Sequence, residues 1–363
     1  MSGGHDTDDY LWDRSGPVDE EIAALERALA PLSLRAMPPR ATAGRAWTAE
    51  PRRPRRRLRR ALAALAAALL LGLGIGGWHQ HRLAWPEAQP WRISQVRGQV
   101  NLDGQARPAL SALRPGAVLE TAEGASVRMR AARIGEVVVG ERSRFRIVRT
   151  ASGRHRTELQ QGSLWARVWA PPGAFGVATP MGEVYDLGCE FVLRAGTDGS
   201  GSLSVRSGWV QLDNGWQEVL VPQGARVEIH AGGRPGTPYD LRSSAAFRAA
   251  LHRIDAADAA IAADDPRVRE LVAAARPHDA LSLLSLLHAR PQLLDGPVFD
   301  RLSELMPADA LVTRAQVRTQ GLNAYGAWWD RLPYPRMKRW WLHWPDAIGV
   351  RADADALLSG DRR

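Results

Sequence analysis

Nucleophilic, metal and phosphate chemistry each demand particular residues at particular spacings, and the chain offers a fragment of each. His79 and His81 lie two apart with no third ligand nearby. His155, His230, His252, His278, His288 and His343 are scattered, and none completes the H-E-x-x-H spacing that sets two imidazoles on one helix face. Cys189 is the single cysteine, so no intrachain disulfide can form and a cysteine-based zinc site is excluded. No G-x-S-x-G occurs. Gly72, Gly74 and Gly77 spell G-x-G-x-x-G. That fingerprint needs a strand before it and an acid about 20 residues beyond. The preceding residues are Ala/Leu helix formers, and position 97 is Arg97. The expectation is a non-enzyme with no catalytic residue, no metal site and no cofactor.

Charge narrows the partners. The 363 residues carry a net +9. Seven arginines fall between Arg52 and Arg60, and without them the remainder is near +2. A nucleic-acid binder spreads its basic residues over a folded face; here the excess is one local block, so no nucleic-acid partner is expected.

An uncharged run from Ala61 to Trp78 follows the arginines. As a helix of 18 residues it would rise about 27 Å, close to the hydrocarbon thickness of a bilayer. Trp78, Trp85 and Trp91 would suit the interface, and flanking arginines stay on the cytoplasmic side. The expectation is a single transmembrane helix over 61–78 in a bacterial inner membrane, with residues 1–60 cytoplasmic and the C-terminus periplasmic. The run begins too far into the chain for a signal peptide. Ala64, Ala68, Gly72 and Gly76 recur at i, i+4, a row through which two membrane helices could pair as a homodimer. Any Ala/Gly-rich run would also show such a row.

Within 1–36, Val18, Ile22, Leu25 and Leu29 share one helix face, with Asp19, Glu20 and Glu21 in the first turn and Pro31 as the stop. Residues 37–60 are a Pro/Arg-rich tether. Trp12, Ile22, Leu25 and Leu29 are candidate partner-binding residues, with self-association as the plain alternative.

Over 91–240 the texture becomes short alternating runs separated by glycine-bearing turns, the pattern of an all-β sandwich, barrel or solenoid. Beyond it, 244–345 repeats proline-initiated helical segments and predicts an all-α domain, and 346–363 is a tail. Between 328 and 344 stand Trp328, Trp329, Trp340, Trp341 and Trp344 beside Arg331, Arg336, Lys338 and Arg339. Core capping is the first reading of this cluster. Partner binding through Trp340 and Trp341 is the second, and a lipid surface the third.

The β-rich part resembles the outer domain of the FecR family of membrane regulators. "VRGQV" matches its opening strand at Gly98. "LRPGAVLETAEG" matches at Gly116 and Thr121, and "LQQGSLWARV" at Gly162. "FGVATPMGEVYDLGCEFVL" matches at Phe175, Thr179, Pro180, Gly188 and Phe191, and "VRSGWV" and "LVPQGARVEI" close the set at Gly208 and Gly224. Cys189 stands where the family usually has threonine. The resemblance covers well under half the chain. It implies a transmembrane signalling regulator with a sensing domain outside, for an unnamed periplasmic partner or ligand, and a sigma factor of the extracytoplasmic-function type held inside. The inner segment is shorter than such sigma-binding regions usually are. The runner-up is an envelope scaffold that binds protein or cell-wall polymer. The full expectation is therefore a multidomain chain: short cytoplasmic helix, single transmembrane helix, all-β FecR-type domain and C-terminal all-α domain.

Overall fold

A computed structural model describes residues 20–30, 55–257, 260–334 and 353–359. Contacts divide the chain into two units, 1–67 and 68–363. In the first, α1 (Glu20–Leu29) is the amphipathic helix expected from the Ile22/Leu25/Leu29 spacing. Helix α2 (Arg55–Leu83) begins in the first unit and runs into the second.

Among the described residues no helix is long and apolar enough to cross a membrane. This overturns the span at 61–78 and, with it, the inner-membrane placement with the N-terminus inside and the C-terminus periplasmic. The uncharged run is part of a longer helix that opens with Arg55, Arg56, Arg57, Arg59 and Arg60 and ends in Arg82-Leu83. Ten of the 18 residues from Ala61 to Trp78 are alanine or glycine. Alanine and glycine each contribute little apolar area, and burial free energy scales with that area.

The second unit is a β-rich half-barrel with helices at its C-terminal side. Its strands are β1 (Trp91–Arg97), β2 (Val100–Leu102), β3 (Gln105–Ala106), β4 (Ala112–Leu113), β5 (Val118–Thr121), β6 (Ser126–Ala131), β7 (Gly135–Val139), β8 (Arg144–Ala151) and β9 (Arg154–Val168). They continue as β10 (Phe175–Thr179), β11 (Gly182–Asp186), β12 (Glu190–Ala195), β13 (Gly201–Ser207), β14 (Trp209–Asp213), β15 (Glu218–Pro222), β16 (Ala225–His230), β17 (Arg234–Pro235) and β18 (Tyr239–Asp240). One layer runs β1-β6-β7-β9-β12-β13-β16, all antiparallel. The other runs β2-β5-β8-β9-β10-β11-β14-β15, antiparallel except for the β9–β10 pair.

β9 belongs to both layers. Its first half pairs with β8 and β10, its second with β7 and β12. The strands therefore form one continuous 18-stranded network. This corrects the expected free sandwich or solenoid: a 15-residue strand that changes partners midway sews the layers together. Alternation holds in β16, where Ala225, Val227 and Ile229 are buried and the residues between them are not. It places one face of each layer in the core.

The helices are α3 (Ala245–Asp255), α4 (Pro266–Ala274), α5 (Ala280–Ala289), α6 (Pro297–Leu305), α7 (Arg314–Gln320), α8 (Gly326–Trp329) and α9 (Ala354–Ser359). Ser244 caps α3 by accepting from Phe247 N, and Asp265 caps α4 ahead of Pro266. The array does not stand apart from the β-rich body. One buried apolar cluster runs from Trp91 through Phe191 and Val227 to Leu284, Leu302 and Trp328. Ser282 Oγ donates to Pro238 O at 2.8 Å, and Tyr334 OH donates to Asp240 Oδ2 at 3.2 Å. Trp328 is buried against Phe299 and Tyr325, its Nε1 donating to Ala310 O at 2.8 Å.

Candidate functional site

The glycines of the family pattern do not converge on one site. Gly98, Gly162, Gly188, Gly208 and Gly224 stand where the chain passes from one layer to the other, and Gly116 precedes β5. Gly162 shows why glycine is needed. It bends β9 between layers at φ +97, and a Cβ there would sit 2.1 Å from Ser143 Oγ and 2.5 Å from Ser143 Cα. Thr121 is buried at the next corner, donating to Gly140 O at 2.5 Å and accepting from Ser143 N at 2.9 Å. Phe175 and Phe191 are core residues. Thr179 closes the β10–β11 hairpin by donating to Gly182 O at 2.7 Å, with Pro180 exposed at the turn. Each of the eleven stands at a turn, at a strand end, at a bend or in the core.

Cys189 and Asp186 form a fully buried pair. The carboxylate accepts from Gly188 N at 2.9 Å and from the Cys189 thiol. Burial pushes Asp186 up to about 8 against the opposing hydrogen bonds from Cys189 and Gly188. Burial, with Asp186 beside it, pushes the Cys189 thiol well above its usual range. Thiolate, the reactive form, is suppressed. Native protein at pH 8 should therefore resist iodoacetamide and react fully in denaturant; alkylation of the native chain at the rate of a free thiol would show that this pair is open to solvent.

His155 is equally internal. Its Nδ1 lies 2.7 Å from Thr150 Oγ1, which also accepts from Trp91 Nε1 at 3.0 Å. Its Nε2 has no partner, and burial lowers the imidazole to about 4. It is a neutral core histidine. Among the described residues no group of three or more His, Cys, Asp or Glu side chains is placed to hold a metal ion.

Two features look outward. The first is a cavity of about 510 Å³ at the seam between β15, β17 and helices α3 and α5. Its walls include Gln217, Arg234, His288, Arg290 and Trp329. At its edge the buried Asp255 accepts from Thr237 N and Thr237 Oγ1, each at 2.7 Å, and burial raises its carboxyl. The volume is in the range of small-ligand sites. Sequence reasoning missed it because its residues come from 217 to 329 and share no local motif.

The second is α1. Leu25 is 63% and Leu29 52% exposed on a ten-residue helix. Ile22 belongs to the same helix. Trp12, Trp340 and Trp341 lie outside the described residues. The row Ala64, Ala68, Gly72 and Gly76 lies exposed along α2.

No family model and no curated protein matches the chain. Among solved structures, it is similar to two crystal structures of a "putative anti-sigma factor" from Parabacteroides distasonis ATCC 8503, at 16% and 17% identity and a TM-score of 0.24 in each case. The likeness covers 46% of this chain, which spans 65% and 64% of those structures, just under two thirds of their length.

Proposed function

We propose that the chain is a regulatory protein of the anti-sigma type, in which α1 holds a sigma factor and the half-barrel with its helical array forms the sensing body. The observation that carries this reading is the exposed leucine pair of α1. A ten-residue helix with acids at its start leaves Leu25 and Leu29 in solvent. An amphipathic helix with an unburied stripe is the form in which helices dock into a partner's groove. The ordered FecR-like residues from Gly98 to Gly224 support the same class. The remote crystal-structure likeness adds no weight to it.

The tagged full-length chain, co-expressed with the sigma factors of its host, should retain one of them. Leu25→Asp with Leu29→Asp should cut that retention at least tenfold, since a carboxylate forced into an apolar groove costs more than about 1.4 kcal/mol. Retention of no sigma factor, or equal retention by the double variant, would refute the reading.

A further inference from the structure

The layer built on β6, β7, β9 and β12 has a second face, turned away from the shared core. There Val138, Trp165 and Val192 form their own apolar cluster, and the helix that covers them is α9. Ala354 is fully buried on this floor, with Leu357 and Leu358 partly buried beside it. These three fall at i, i+3 and i+4, one face of a helix.

The polar surroundings match the helix from end to end. Near its start, Asp355 receives Arg97 Nη1 at 2.5 Å and Ser126 Oγ at 3.2 Å, and Arg128 Nη2 stands 3.8 Å away. At its end, Arg194 Nη2 donates to the carbonyls of Leu357 at 3.2 Å and Leu358 at 3.0 Å. Those are carbonyls that a helix terminus leaves without internal partners. The floor does not depend on its cover for shape. Val138 and Trp165 sit on strands hydrogen-bonded on both sides, and Trp165 Nε1 donates to the buried Glu190 Oε1 at 3.2 Å, itself paired with Arg206 at 3.1 Å.

We propose that this face is a preformed helix-binding groove, that α9 is its tethered occupant, and that a partner helix of the same chemistry displaces it. That chemistry is an Ala/Leu stripe with a carboxylate in the first turn, placed to meet Arg97 and Arg128. The cover is easily exchanged. It is six residues long, and the Arg97 side chain that reaches Asp355 from β1 is 54% exposed, a setting in which ion pairs hold weakly. It stays in place because the chain keeps its local concentration high.

The probe is a fluorescently labelled peptide of residues 350–363, titrated into three full-fold proteins: the wild type, Leu357→Asp with Leu358→Asp, and a chain ending at Arg351. Both released chains should keep the wild-type thermal midpoint and bind the peptide at least tenfold more tightly than the wild type. Adding Arg97→Glu and Arg128→Glu to the first should reverse that gain. Equal affinity in all three proteins, no saturable binding to either released chain, or loss of folding in both would overturn the proposal, the last by making α9 part of the core.

Discussion

Gly162→Ala should destabilise the half-barrel by about 3–5 kcal/mol and lower its thermal midpoint by roughly 10 °C. Two costs combine. A side chain at φ +97 occupies backbone space that L-residues rarely adopt. The new Cβ also meets Ser143 Cα at 2.5 Å, a backbone atom rather than a flexible tip. Ser143 has little room to retreat. Its N donates to Thr121 Oγ1 at 2.9 Å, and its Oγ accepts from Ser163 N at 2.9 Å. Moving it would open the corner at which β9 changes layer. Gly153→Ala is the matched control: φ is +67, but nothing lies within 4 Å of the added carbon. It carries the backbone cost alone, about 1–2 kcal/mol. Equilibrium unfolding of the two variants measures the difference, and equal losses would mean that the corner at Gly162 is not packed as described.

Asp186→Asn should change the shape of the pH–stability profile. In the folded chain Asp186 titrates at about 8, well above the 3.8 of an ordinary aspartate. Between those values the native state holds a proton that the unfolded chain has released. Stability from this group therefore falls as pH rises from about 4 to about 8. His155 works the other way. It is held at about 4 against 6.5, so the unfolded chain binds the extra proton and stability rises over that interval. Of these two groups, the slopes offset one another from about 4 to 6.5, and only the Asp186 decline continues from 6.5 to 8. Asparagine removes it. A tenfold change in proton affinity between the folded and unfolded chain is worth about 1.4 kcal/mol. Against this, the buried amide carries a hydrogen left without a partner, a cost of about 1–3 kcal/mol. The expected result is a variant more stable than the wild type at pH 8, with a flat profile above 6.5. Urea unfolding at half-unit pH steps reads both, and a variant profile that still declines between 6.5 and 8 would assign the slope to other groups.

What the amino-acid order determines by itself is local. Alternation of apolar and polar residues marked the β-rich stretch, because a strand's period of two is written in neighbouring residues. The proline-led helical segments and the Ile22/Leu25/Leu29 face were legible for the same reason. The glycines at 98, 162, 188, 208 and 224 signalled turns, but not that each turn carries the chain between two layers. The run at 61–78 shows where local reading misleads. Its lack of charge is visible in sequence, whereas the helix containing it takes in five arginines at its start and rests largely on alanine and glycine.

Only the tertiary structure decided how distant residues meet. It made β9 a member of both layers and joined the helical array to the half-barrel through one core. It brought Gln217 and Trp329 to one cavity and set Asp355 on Arg97 across 258 residues of sequence. Such pairings leave no local periodicity, since they are fixed by which faces remain to be buried once every strand and helix has formed.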